Sequence, residues 1–144
     1  MSSTTTQPAA LAGGQTDLTL LIARIALVLL FPISGVLKLR NVGGTAAHFA
    51  SLGAPLPDVA AWVAIACELI LPALIVLGVG VRWAALGLIL YTAGATIIGH
   101  RFWEVAPPAQ TEQMFSFFKN IGLMGGFALL AVLGPGRYAL QKGP

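Results

Sequence analysis

The most constraining feature of the sequence is the segment from Val59 to Val79, which is apolar except for one acidic residue, Glu68, near its middle. An α-helix of about 20 apolar residues is long enough to cross the hydrocarbon core of a bilayer. An ionised carboxylate at the centre of that core costs about 2.5–3.5 kcal/mol, even on the scales that assign the lowest penalty. We therefore expect Glu68 to be paired, protonated or turned toward a polar cavity.

The whole chain is too apolar for a water-soluble domain. Its 144 residues are 57% hydrophobic and only 9% charged, whereas about a quarter of the residues in an ordinary soluble domain are charged. The polar residues that would cover a water-facing surface are missing. We predict one all-α domain that forms an integral membrane antiparallel four-helix bundle, with the lipid bilayer as its partner.

The basic charge of the chain does not indicate a nucleic-acid partner. The formal net charge is +3 and the pI is about 9.5, but the Lys and Arg residues lie near the ends of the apolar segments, where they anchor to lipid headgroups. No basic run with interleaved aromatic residues is present. Cys67 is the one cysteine, so an intrachain disulfide or a Cys-x-x-Cys redox pair cannot form, and electron chemistry would need a bound carrier.

Hydropathy and turn residues divide the chain into four spans and two tails. The predicted spans are about 18–38, 59–79, 83–99 and 119–134 within a membrane domain at 18–137, with a disordered N-terminal tail at 1–17 and a C-terminal tail at 138–144. Four spans place both termini on the same side of the membrane. The Lys and Arg counts on the two sides are nearly equal, so the orientation stays open.

The two long connections are predicted to differ from each other. Thr45 to Leu52 is expected to form a short interfacial helix in the first long loop, with Thr45 as its N-cap and Gly53 as its stop. Glu104 to Phe118 is expected to be a loop, because it is too polar to cross a membrane. Trp62, Trp83 and Trp103, close to span ends, are typical of an interfacial aromatic belt.

Helical spacing predicts which residues share a face of each of the first three spans. Pro32 should kink the first span, because proline frees a backbone carbonyl one turn earlier. Gly122 and Gly126 have the spacing of a helix-packing or homo-oligomer contact. The face expected to point into the bundle carries Arg24, Val28, Phe31, Gly35 and Lys38 in the first span. The second span has a narrow face of Ala61, Ala64, Glu68 and Pro72, and the third has a mildly polar stripe of Thr92, Thr96 and Gly99.

Depth along the helices leads us to predict an ion pair between Arg24 and Glu68. At about 1.5 Å per residue, Arg24 lies about 9 Å from the terminal side and Glu68 about 15 Å from either side, a difference that an arginine can bridge. This pair could serve ligand or proton handling, or it could simply fix the register of the bundle. Alternatively, Arg24 reaches its nearer surface and leaves Glu68 protonated.

A second group of polar residues is expected at the loop-side mouth of the bundle, with His48 nearby. Donors at one mouth suit an anion or the carbonyl oxygens of a quinone. The alternative is that the two lysines only anchor headgroups and that His100 is interfacial. The two histidines form no haem or zinc signature, so neither a metal nor a haem is predicted. The predicted ligand-binding residues are Lys38, His100, Lys119 and Asn120.

Motifs along most of the chain resemble the DoxX family of small bacterial membrane proteins. This resemblance implies a multi-pass inner-membrane protein of four helices, in a family named for its similarity to a subunit of an archaeal thiosulfate:quinone oxidoreductase. It also implies an oxidoreductase partner, because some members are linked to membrane oxidoreductase complexes. The matching residues are Arg24 with Phe31-Pro32-Ile33-Ser34-Gly35-Val36-Leu37-Lys38, Leu52-Gly53-Ala54-Pro55, Pro57, Glu68, Leu77-Gly78, Arg82-Trp83-Ala84-Ala85-Leu86, His100-Arg101-Phe102-Trp103, Phe118-Lys119-Asn120 and Gly134-Pro135-Gly136-Arg137.

Three functions are consistent with these observations. The first is a membrane subunit or accessory of a redox system that binds a quinone or similar amphiphile, and is at most a quinone-linked oxidoreductase subunit. The second is a non-catalytic membrane scaffold or assembly partner for an oxidoreductase. The third is a small-solute or lipid transporter, which Pro32 and Pro72 leave open although no inverted repeat is evident.

Overall fold

The structure is a computed structural model that describes residues 13–141. These residues form six α-helices and one 3₁₀ turn, with no strand among them, so the predicted all-α class is confirmed. The elements in chain order are α1 (Gly13–Val28), α2 (Leu30–Arg40), α3 (Val42–Ser51), α4 (Pro57–Leu77), α5 (Val81–Gly99), the 3₁₀ turn Phe102–Glu104 and α6 (Ala109–Leu133).

Four helical segments are long enough and apolar enough to cross a membrane. They are Gly14–Arg40, Pro57–Leu77, Val81–Glu104 and Ala109–Leu133. Helix α4 packs against α2, α3 and α5, and α5 packs against α6. The predicted four-helix membrane bundle agrees with this arrangement.

Pro32 interrupts the first span where the sequence predicted a kink. Proline has no backbone N–H, and its ring clashes with the carbonyl four residues earlier, which here belongs to Val28. Helix α1 ends at Val28, and the Leu29 N–H donates instead to the Ala26 carbonyl at 3.4 Å. The first span therefore consists of two consecutive helices, α1 and α2.

The predicted faces form the interior of the bundle. In the first span, Arg24, Val28, Phe31 and Gly35 are buried, and Lys38 is half-buried. In the next two spans every residue of the predicted faces is buried except Gly99, which is half-buried. The largest fully buried side chains come from all four spans, so one core joins them: Phe127, Ile75, Leu88, Val28 and Pro72.

Two predicted boundaries are wrong. Helix α3 begins at Val42, three residues before the predicted N-cap Thr45. Its N-cap is Asn41, whose side-chain Oδ1 accepts from the Gly44 N–H at 2.9 Å. Helix α6 begins at Ala109, so the predicted loop at Glu104–Phe118 is helical from Ala109 onward. The polar residues in the first turns of α6 have good helix propensity, so they continue the apolar helix toward its N-terminus. The interfacial position of α3 stays a prediction.

The predicted tails also differ from the structure where it describes them. Helix α1 already includes residues 13–17, whereas residues 1–12 and 142–144 lie outside the described part of the chain. The segment 134–141 packs over the turn between α4 and α5. The Leu140 N–H donates to the Leu77 carbonyl at 3.0 Å, and the Gly80 N–H donates to Gln141 Oε1 at 2.9 Å. We call residues 134–141 the C-terminal strap.

The C-terminal strap depends on a glycine in the turn beneath it. Gly78 has a φ of 73°, and a Cβ at this position would lie 2.6 Å from the Cα of Ala139. Any larger residue would therefore meet both a left-handed backbone conformation and a backbone clash. Gly78 lets the strap approach the α4–α5 turn closely enough for hydrogen bonding.

Candidate functional site

The Glu68 carboxylate is bound by side chains from two neighbouring helices. Lys38 Nζ, on α2, lies 2.8 Å from Glu68 Oε2 and 2.9 Å from Oε1. The Tyr91 hydroxyl, on α5, donates to Oε1 at 2.6 Å. Glu68 itself is 5% exposed. These three charge-assisted or short bonds offset the cost of holding a carboxylate inside the bundle.

Lys38 contacts three acceptor atoms in this cluster. Besides the two Glu68 oxygens, its ammonium group donates to the hydroxyl oxygen of Ser34, one helical turn earlier on α2. An ammonium group only donates hydrogen bonds, so both neighbours act as acceptors. We call Ser34, Lys38, Glu68 and Tyr91 the Glu68 cluster.

A glycine allows α2 to approach α4 closely enough to form the Glu68 cluster. A Cβ at Gly35 would lie 3.1 Å from the Glu68 Cβ and 2.9 Å from Leu69 Cδ2. Glycine is the one residue that leaves this space open. Lys38 is almost one turn farther along α2, so its long side chain can reach back toward the carboxylate.

The predicted ion pair between Arg24 and Glu68 is wrong. Arg24 is 2% exposed, and its guanidinium donates to the Pro135 carbonyl at 2.8 Å and to the Tyr138 carbonyl. Both acceptors belong to the C-terminal strap, whose backbone was not anticipated beside α1. Lys38 instead pairs with Glu68 from the opposite end of the first span. Arg24 fixes the strap and takes no part in the Glu68 cluster.

A second polar group ties α5 to α6. Asn120 Nδ2 donates to Thr96 Oγ1 at 2.9 Å, and Thr96 Oγ1 donates to the Thr92 carbonyl at 2.6 Å. One turn beyond Thr96, His100 Nδ1 lies 2.8 Å from Gln113 Oε1. Because the Gln113 oxygen accepts, Nδ1 carries the proton. In the neutral imidazole ring Nε2 is then the hydrogen-bond acceptor.

One cavity joins these two groups. It has a volume of about 600 Å³ and is lined by residues of α2, α3, α4, α5 and α6. All four predicted ligand-binding residues line it, together with Glu68 and His48, whereas Arg24 does not. Sequence reasoning therefore grouped residues that do line one cavity but assigned the wrong cation to Glu68, and the binding role of the four residues stays a prediction. The four are Lys38, His100, Lys119 and Asn120.

The walls of the cavity are mainly apolar and continue into the outer surface of the bundle. Three apolar lining residues on three different helices are strongly exposed: Leu90 is 76% exposed, Val63 is 52% exposed and Leu30 is 48% exposed. In a membrane, side chains on this surface contact lipid. The cavity thus combines apolar walls beside the lipid with a polar base at the Glu68 cluster.

Sequence reasoning missed two members of the Glu68 cluster, Tyr91 and Ser34. A tyrosine in the middle of an apolar span is a signal, because a buried hydroxyl needs a partner. Ser34 precedes Lys38 by four residues, which places the two on the same face of a helix.

Comparison with known proteins assigns the chain to a family. The DoxX family profile matches residues 19–101, more than half of the sequence. The chain belongs to the DoxX family. It is 43% identical over 130 residues to inner membrane protein YphA of Escherichia coli strain K12, covering 90% of this chain and 93% of the relative. It is also 31% identical over 132 residues to inner membrane protein YqjF of the same organism, covering 88% and 92%.

The family assignment agrees with the four apolar helices, and this DoxX protein is an integral membrane protein. No solved structure shows significant similarity to the chain. The matched region includes α2, α4 and α5, and therefore all four residues of the Glu68 cluster. The part of the cavity formed by α6, with Lys119 and Asn120, lies outside the family profile but inside the long alignment with YphA.

Proposed function

We propose that this DoxX protein resides in the bacterial inner membrane and binds a quinone or similar amphiphile, as a subunit or accessory of a membrane redox system. The observation that supports this most is the cavity, whose apolar walls end at the polar Glu68 cluster. Ligand sites in proteins typically have volumes of about 300–1,000 Å³ and a few polar groups in an apolar lining. A quinone has a matching form, because its apolar tail ends in a ring with two carbonyl oxygens.

The proposal assigns binding to this chain and electron transfer to a partner. With Cys67 as its one cysteine, the chain has no dithiol of its own, and a partner oxidoreductase would supply or accept electrons. Glu68 and Tyr91 lie at the base of the cavity, where a proton could be exchanged with a bound hydroquinone. Arg24 has no part in this proposal, because it donates to carbonyls of the C-terminal strap.

A cavity-filling variant tests the proposal. Gly94 lines the cavity, and a Cβ built there meets no atom within 4 Å, so Gly94→Leu should fill space without a clash in the bundle. Purified wild-type protein should be stabilised by decylubiquinone in a saturable manner, measured as a rise in Tm. The Gly94→Leu variant should fold normally and lose this response.

The matched control is Gly122→Leu. Gly122 also has no atom within 4 Å of a built Cβ, but it lies on α6 and does not line the cavity. Gly122→Leu should therefore retain the wild-type response. If decylubiquinone leaves the Tm of wild-type protein unchanged, and extraction of protein purified from membranes yields no quinone, the proposal is wrong.

A specific observation also favours the scaffold function. Several polar side chains along the cavity already bind one another: the Glu68 cluster, Asn120 with Thr96, and His100 with Gln113. Such a network can fix helix packing without any ligand. If the function is that of a scaffold, Gly94→Leu should assemble with its oxidoreductase partner and support the activity of the complex as well as wild type does.

A further inference from the structure

The base of the cavity carries no net formal charge. Lys38 and Glu68 contribute one charge of each sign at 2.8 Å, and the Lys38 ammonium group donates to Glu68 and to Ser34. An anionic headgroup placed there would have to displace Glu68 from Lys38 or remain unpaired. An unpaired charge in an apolar cavity loses its hydration without compensation.

The hydrogen-bonding groups left over at the base are neutral. Tyr91 donates its proton to Glu68, so its oxygen can only accept from a ligand. Ser34 accepts from Lys38, so its own proton is free to be donated. Both side chains line the cavity. The base therefore offers one donor and one acceptor, which suits a headgroup with oxygen atoms or hydroxyl groups and no charge.

The other basic residues that line the cavity do not change this balance at its base. Lys119 and His48 are exposed, whereas Glu68 is 5% exposed, so both lie at the surface of the bundle and away from the buried Glu68 cluster. His100 is held by Gln113. The sequence left open whether the mouth would bind an anion or a quinone, and the pairing of Lys38 now separates these two ligand classes.

We infer that the cavity selects neutral amphiphiles with an oxygen-bearing headgroup and rejects anionic amphiphiles such as fatty acids. This inference rests on the proposed binding of an amphiphile in the cavity. The cause of the selection is the Lys38–Glu68 pair, because it neutralises the cation that would otherwise attract an anion. Removing the acid alone should therefore weaken or abolish the selection.

Binding of a neutral and an anionic probe to the purified full-length protein tests the inference. The probes are decylubiquinone and laurate at about pH 8, where a carboxylate is ionised. Wild-type protein should bind laurate at least about tenfold more weakly than decylubiquinone, a ratio that corresponds to about 1.4 kcal/mol. Glu68→Gln leaves the charge of Lys38 unbalanced and should strengthen laurate binding about tenfold.

The double variant Lys38→Met with Glu68→Gln is the matched control. It restores a neutral base and should again reject laurate, which attributes the effect to charge and not to a loosened bundle. Comparable affinity of wild-type protein for the two probes overturns the inference without the use of any variant. The inference also fails if laurate binding to folded Glu68→Gln stays at the wild-type level. If neither probe binds wild-type protein, the proposed amphiphile function itself is wrong, and the inference falls with it.

Discussion

At the residue scale, Glu68 shows how a carboxylate is accommodated among apolar helices. The charge of Lys38 balances it, and the Tyr91 hydroxyl supplies a further bond at 2.6 Å. A buried ion pair stabilises little relative to apolar residues of the same shape, but breaking one is costly because a charge is left without a partner. Removing one member of the pair should therefore cost more stability than removing both.

We expect Lys38→Met to destabilise the protein by about 3–5 kcal/mol, since it leaves the Glu68 carboxylate buried without its cation. The double variant Lys38→Met with Glu68→Leu should lose less stability than the single variant does, because no charge remains. Unfolding free energies in mixed micelles measure both effects. A Lys38→Met protein as stable as wild type would show that the pair contributes nothing, and additive losses in the double variant would show that the two residues are not coupled.

The sequence predicted the partners of Glu68 only in part. Helical spacing correctly placed Arg24 and Lys38 on one inward face of the first span, and depth counting then chose Arg24. That count compared only the depths of Arg24 and Glu68 and did not include the reach of the long Lys38 side chain back along α2. It also could not include the carbonyls of the C-terminal strap, because their position depends on tertiary contacts that no local pattern encodes.

At the scale of elements, glycines and prolines decide how closely the helices meet. Gly35 brings α2 against α4, and Gly126 gives space to Leu27, whose Cδ1 would lie 2.7 Å from a Cβ at that position. Gly122, predicted from its spacing to act with Gly126, has no neighbour within 4 Å of a built Cβ. Spacing alone therefore identified one packing glycine and one open position.

Element boundaries were harder to predict than element type. Hydropathy identified four spans because the bilayer requires long apolar helices. It missed the first ten or so residues of α6, because hydropathy separates lipid from water and does not separate helix from loop. Gln110, Glu112 and Gln113 are compatible with a helix in water. Helix propensity therefore predicted the secondary structure of this segment better than polarity did.

The C-terminal strap should depend on Arg24. Arg24→Met removes the donors to the Pro135 and Tyr138 carbonyls while keeping a long apolar side chain, so the strap loses two bonds to α1. We expect faster hydrogen exchange at the amides of residues 139–141 and little change in the middle of α4. Arg82→Met is the matched control, because Arg82 is exposed on α5. Unchanged exchange at the strap in Arg24→Met would contradict the role assigned to this arginine.

At the scale of the whole molecule, the apolar outer surface of the bundle continues into the apolar walls of the cavity. The outer surface exposes many large apolar side chains, among them Trp83 at 80%, Leu90 at 76% and Val132 at 75%. Such a surface is stable in lipid and would aggregate in water. Under the proposed function, an amphiphile dissolved in the same bilayer would reach the cavity beside Leu90 without passing through water.

The most direct test of a ligand site at the Glu68 cluster is photoaffinity labelling of the protein in membranes with an azido derivative of decylubiquinone. Peptide mapping should locate the label within α2 or on the cavity face of α5 between Tyr91 and His100, and unlabelled decylubiquinone should suppress it. Gly94→Leu should abolish this labelling. Label confined to outward-facing residues such as Ile97 and Val132, unaffected by competitor, would contradict the account.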